Sequence, residues 1–160
     1  MVQVYSETDC LKKVIIHQPD YGIEQITPEI AEELLYDDIV FLPKMVKEHK
    51  IFTNNIRTFI GQENVLEFND LLETALLENG VKDNLLADIE KLEKPGNLAM
   101  NYLNSLDAIK LADILISGIH HETEEMIFNP IPNLVFTRDI GVVIHDHLLI
   151  CKANKKARFR

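Results

Sequence analysis

The most constraining feature of this chain is a change in its hydrophobic rhythm. Short runs rich in β-branched and aliphatic residues stand near both ends, Leu11–Gln18 in one place and Leu134–Cys151 in the other. Between them, from about Asp70 to Ile119, apolar residues recur at helical spacing. Strand-type segments alternating with helices at one end predict an α/β unit, and several short helices in a row predict a small bundle set into it.

At the start, Val14, Ile15 and Ile16 predict a short buried strand that Pro19, Asp20 and Gly22 break. Thr27-Pro28 predicts a helix start with a hydroxyl cap and proline at the first helical position, running to about Leu35. Glu29, Glu32 and Glu33 favour the positive end of that helix. A second helix is expected from Pro43 to Gly61, with Met45, His49, Phe52, Ile56 and Phe59 on one face, followed by a strand over Asn64–Phe68.

Asp70 with Glu73 resembles a capping box, and Asn79-Gly80 is a stop signal. Leu85, Leu86, Ile89 and Leu92 form the next stripe, ended by Pro95-Gly96. Ser105 is placed to cap a helix carrying Ile109, Ala112 and Leu115, with Gly118 at its end. After Pro130 and Pro132, a strand is expected over Leu134–Arg138. A hairpin then joins Val142–Ile144 to Leu148–Cys151 around Asp146-His147. The expected units are residues 1–68, 69–127 and 128–160.

Composition excludes several functions. The 160 residues carry a net charge of -10, which argues against general nucleic-acid binding. No apolar stretch is long enough to cross a bilayer, and Met1-Val2-Gln3-Val4 lacks the layout of a signal peptide. Two cysteines, Cys10 and Cys151, do not make a disulfide framework, so a reduced, cytoplasmic setting is expected. Cys151, in an apolar strand, reads as a small buried hydrophobe, and neither cysteine reads as an activated nucleophile. His120, His121, Glu122, Glu124 and Glu125 cluster without the spacing of a zinc site or metalloprotease, and read as a solvated loop. His145 and His147 carry little weight as a metal pair, since the turn separates them.

The segment Pro132-Asn133-Leu134-Val135-Phe136-Thr137-Arg138-Asp139 is the most informative. It sets a carboxylate at the end of an apolar run, where it needs a partner. That partner is either internal, through Arg138 or backbone, or a planar cation such as a guanidinium, whose two N–H bonds match two carboxylate oxygens.

This segment resembles the signature of the arginine deiminases, within the guanidine-modifying amidinotransferase superfamily. Other landmarks agree in order: Leu11-Lys12-Lys13-Val14-Ile15, Thr27-Pro28, Glu33-Leu34-Leu35-Tyr36-Asp37-Asp38, Lys110-Leu111-Ala112-Asp113 running into Gly118, and Ala157-Arg158. The turn His17-Gln18-Pro19-Asp20 departs from the family's Arg-Pro-Gly, and Asp146-His147 stands where glycines are common.

The resemblance implies part of a five-bladed, pseudo-symmetric α/β propeller with an inserted small helical bundle. It implies that Asp139 holds the substrate guanidinium, that Asn133 and Arg158 bind the α-carboxylate of L-arginine, that Phe136 packs against the substrate, and that Leu35 lines the pocket. The implied reaction is hydrolysis of arginine to citrulline and ammonia through a covalent cysteine intermediate, with no metal or organic cofactor.

In this family the nucleophile, its histidine and a second acid lie beyond the equivalent of Arg160. The expectation is therefore an N-terminal portion that is silent alone and needs the C-terminal half, with a homo-oligomer as one option for the complete enzyme. Two other readings stand beside it. One is a truncated, non-catalytic arginine-binding or subunit-binding module. The other is activity on agmatine or a methylated arginine, against which the pairing of Asn133 with Arg158 argues.

Overall fold

A computed structural model describes residues 3–6 and 8–151. Arg158 and the basic segment around it lie outside the described residues.

The apolar run near the start forms β1 (Val14–Ile16), and the segment after Gly61 forms β2 (Val65–Glu67). The two pair in parallel, Val14 opposite Val65 and Ile16 opposite Glu67. Two short helices, α1 (Tyr21–Glu24) and α2 (Pro28–Ala31), and one long one, α3 (Leu42–Ile60), connect them. A parallel pair needs such a crossover, because a tight turn cannot bring the second strand back in the same direction.

The break expected after β1 is in fact a helix start. Asp20 is the N-cap of α1, and its Oδ1 accepts from the Gly22 N–H at 2.8 Å. Thr27 precedes α2 as expected, yet its hydroxyl makes no cap bond, and the helix gives way to turns before Leu35.

The helical stretch is α4 (Phe68–Leu76), α5 (Val81–Leu92), α6 (Asn97–Ser105) and α7 (Ala108–Ser117). Two expected caps move. α4 begins at Phe68, so Asp70 lies inside its first turn, and Glu73 takes a bond from Asn69 Nδ2 at 2.8 Å. α7 is capped by Asp107, which accepts from the Lys110 N–H at 2.8 Å, while Ser105 closes α6 by donating to the Tyr102 carbonyl. Asp107 wins because it directly precedes the first helical turn, where a carboxylate also meets the helix dipole.

α7 is the axle of the molecule. Leu111, Ala112 and Ile114 are fully buried, and with Leu76, Leu86, Ile89, Met100, Leu103 and Phe128 they form the larger core. α7 packs on α4 on one side and on α1 on the other. A smaller core of Ile23, Ile26 and Leu34 sits there, joined by Ile30 and Val135.

Gly118 ends α7 at φ +77°, and a Cβ at this position would lie 2.3 Å from the Phe128 carbonyl oxygen. Glycine is required on both counts.

The strand expected over Leu134–Arg138 does not form. The segment folds as two 3-10 turns, Pro132–Val135 and Thr137–Asp139. Pro132 opens the first of them with its fixed φ and no N–H to give a ladder, and short side-chain anchors described below hold the rest. The hairpin does form, from β3 (Gly141–Ile144) and β4 (His147–Ile150), with Ile144 opposite His147.

The two loop residues are His145, at φ +54°, and Asp146, one position earlier than the expected turn. Val4 adds a bridge to His145 through two 2.8 Å bonds. β4 is exposed along its length, and so is Cys151, which corrects the buried reading of that cysteine. A two-stranded ribbon has no layer to bury it.

Candidate functional site

Two segments almost a hundred residues apart meet at the smaller core. The first is the turn Leu34-Leu35-Tyr36 after α2. Leu35 has φ +64°, a left-handed conformation that costs a non-glycine residue about 1 kcal/mol or more. The Tyr36 N–H returns to the Ala31 carbonyl at 2.9 Å and the Leu35 N–H to Glu32 at 3.2 Å, which is a helix-ending motif that usually takes glycine at the Leu35 position.

The second segment is the pair of 3-10 turns. Asn133 is buried at 6% exposure, and its Nδ2 donates to the Leu34 carbonyl at 2.7 Å. The Tyr36 hydroxyl donates to the Pro132 carbonyl at 3.0 Å. Burial, and after it the Asp20 charge, push the Tyr36 phenol up to about 12, so it remains a donor.

These two bonds place Leu35 beside the segment that carries Phe136 and Asp139. Leu35 and Phe136 are both largely exposed, at 38% and 53%. Asp139 is exposed and is held at the end of its turn by its N–H, which donates to the Phe136 carbonyl at 2.8 Å. Thr137 Oγ1 donates to the Ile15 carbonyl at 2.9 Å, tying the turn to β1.

Of the five sequence-derived site residues, Leu35 and Asn133 are thus brought together, and Phe136 and Asp139 share one turn. Arg158 lies outside the described residues. Asn133 already spends one amide hydrogen on Leu34, so its remaining N–H and Oδ1 are what a ligand could meet. Leu35 also lines an open depression of about 650 Å³ with Glu29, Glu32, Glu33, Tyr36 and Asp37, an acidic surface suited to a cation. Among the described residues, no cluster of three or more His, Cys, Asp or Glu could hold a metal. No helix there is long and apolar enough to cross a membrane.

Sequence reasoning missed a buried ionic node. His17, 5% exposed, lies between Asp20 Oδ2 on Nε2 and Glu67 Oε1 on Nδ1, each at 3.2 Å. The first contact is a hydrogen bond; the second is a charge contact without hydrogen-bond alignment. Burial alone lowers the His17 pKa, and the two carboxylates more than reverse this, raising it to about 9. Glu67 also accepts from the Gln18 N–H at 2.9 Å, and Phe68 meets the imidazole edge-on. The only sequence signal was Asp20 three residues after His17, because Glu67 is fifty residues away.

No family model matches the sequence. Curated relatives do. The arginine deiminases of Pediococcus pentosaceus and Listeria innocua are each 32% identical to this chain over 99% of its length. That of Borreliella afzelii is 30% identical over the same share. The chain spans less than half the length of these relatives, 44%, 43% and 44% respectively. The resemblance carried by Glu33–Asp38 and Pro132–Asp139 is borne out: this chain is homologous, over 99% of its length, to part of the arginine deiminases.

Proposed function

We propose that this chain supplies the guanidinium-holding part of an arginine deiminase, and that the complete protein hydrolyses L-arginine to L-citrulline and ammonia. The observation that carries this is the stapling of the Leu35 turn to the Asn133–Asp139 segment by the Asn133 and Tyr36 bonds. Asp139 accepts two N–H bonds from the guanidinium, and Leu35 and Phe136 cover its apolar stem. Asn133 and Arg158 take the α-carboxylate, Asn133 through the N–H that Leu34 leaves free.

The chemistry is nucleophilic. A cysteine thiolate adds to the guanidinium carbon, ammonia leaves with a proton from a histidine, and water then displaces the thiolate to give the ureido group. Cys10 and Cys151 are both exposed, and the Cys151 N–H bonds the Ile140 carbonyl at 3.1 Å beside Asp139. It is the resemblance to the family that assigns the nucleophile to the remainder of the enzyme. The strained backbone at Leu35 fits a site residue, since such strain persists where surrounding structure imposes it.

The same reading covers the architecture. We propose residues 1–68 as the first α/β unit of a five-bladed propeller, residues 69–127 as its helical insertion and residues 128–160 as the opening of the next unit. The parallel β1 and β2 pair with α3 between them, and the hairpin with apolar side chains on both faces, support that assignment. A cytoplasmic location follows from the arginine deiminase reading.

Citrulline formation from L-arginine tests the proposal, with this chain alone and with the chain joined to the C-terminal portion of its own reading frame. Activity only in the joined protein, abolished by Asp139→Ala, is expected. Activity in the 160-residue chain overturns the assignment of the nucleophile. Silence in both, with retained arginine binding, favours a non-catalytic binding module.

A further inference from the structure

At the carboxyl ends of β1 and β2, under α3, lies a cleft of about 200 Å³. Its polar wall is Gln18, Lys50, Thr53, Asn54 and Arg57. None of these is among the residues assigned to arginine. The carboxyl edge of parallel strands is where open α/β sheets place their ligands.

The charge balance of the cleft is unusual for a chain of net charge -10. Among the described residues, neither Lys50 nor Arg57 enters an ion pair. Arg57 Nε is sealed from solvent without a hydrogen-bond partner, and Nη1 reaches Asn54 Oδ1 only at 3.5 Å. A buried guanidinium N–H without a partner is costly. The one carboxylate in the lining, Glu67, is already engaged by the Gln18 N–H and by His17.

We propose that this cleft binds a small oxyanion, the phosphate or carboxylate group of a metabolite. Arg57 presents a planar fork that matches two oxygens of such a group, and Lys50 adds a second positive charge at the mouth. Asn54 and Gln18 carry side-chain amide donors for the remaining oxygens. His49 lies in the same wall, with Nδ1 3.3 Å from Thr53 Oγ1. Burial lowers its pKa; Glu67 opposes this and the His17 and Arg57 cations reinforce it. An anion in the cleft reverses the effect of those cations, which makes His49 a built-in reporter.

The test is an NMR titration of the 160-residue chain with inorganic phosphate and, in parallel, with acetate, at ionic strength held constant by sodium chloride. Saturable shifts at the Arg57 Nε–H and the Asn54 side-chain amide are expected, with a rise in the His49 pKa. Lys50→Gln and Arg57→Gln should each weaken binding about tenfold or more, the loss expected for one charged hydrogen bond, and Lys91→Gln on α5 should not. Saturation by phosphate alone identifies a phosphate group, and saturation by acetate alone a carboxylate. The proposal is overturned if neither anion saturates, or if the Lys50→Gln chain, altered at an exposed side chain, binds as the unaltered chain does.

Discussion

Raising the pH should loosen this protein in a window set by one imidazole. His17 has its ordinary pKa of 6.5 in the unfolded chain and a pKa raised to about 9 in the fold. A raised folded-state value means that the folded protein holds the proton more tightly. The stabilisation is therefore complete below about pH 6.5 and is lost as the pH rises through about 9. The difference corresponds to roughly 3 kcal/mol, at about 1.4 kcal/mol per pH unit. Because His17 is 5% exposed, solvent screening takes little from this figure.

For a chain of this size such a loss lowers the melting temperature by roughly 6–12 °C. The assay is urea unfolding of the unaltered chain and of His17→Gln at intervals from pH 6 to 10. Glutamine keeps hydrogen-bonding capacity and removes the titratable charge. The two stabilities should differ most near pH 6.5 and converge by pH 10. A difference that stays constant across that range would refute the reasoning, since it would mean that the His17 charge does not hold Asp20 and Glu67 together.

Other expectations follow from the turns and the core. Leu35→Gly relieves the left-handed backbone and loses a side chain that is already 38% exposed, so stability should stay level or rise by up to about 1 kcal/mol. The neighbouring Leu34→Ala, at 1% exposure, should cost about 2–5 kcal/mol in the same denaturation assay. Asn133→Ala leaves the buried Leu34 carbonyl without its donor and should cost about 1–3 kcal/mol. Hydrogen exchange should then speed up first in the Leu34–Tyr36 turn. Gly118→Ala meets both a positive φ and the Phe128 carbonyl, and should cost at least about 2 kcal/mol or prevent soluble expression.

Periodicity found α3, α4, α5 and α7, missed the short α1 and α6, and read the helix faces less well. Stepping by seven residues put Phe52 and Phe59 with Met45, but a helix drifts about 20° per seven residues. The least exposed line on α3 instead runs through Met45, His49, Thr53, Ile56 and Ile60, with Thr53 buried and the others half-buried, and Phe59 is 86% exposed. Capping residues were legible as residue types and off by a few positions, as at Ser105 and Asp107, because several polar residues near a helix start compete for one geometry.

The apolar run Leu134-Val135-Phe136 looked like a strand because local pattern cannot register that Asn133 is held by Leu34 and Thr137 by Ile15. The same limit hid the His17 node and the cleft beside it. Their partners, Glu67 and the α3 side chains, come from other parts of the chain. Asn133, Phe136, Asp139 and Leu35 were singled out only through the family motif, and the bond from Asn133 to the Leu34 turn is long-range packing that no local window carries.

The bond between Asn133 and Leu34 closes a loop of ninety-nine residues. In a flexible chain the entropy lost on such a closure grows with the logarithm of the loop's length. Here most of the loop is α3 and the four bundle helices, whose contacts with one another, α4 with α7 the most extensive, span shorter separations than the closure itself and can form first. Once they are packed, α7 delivers the chain to Pro130 within reach of the Leu34 turn, and only a short span is left to close. The bundle helices thus serve as a prefolded spacer that shortens the search by which two remote segments find one another.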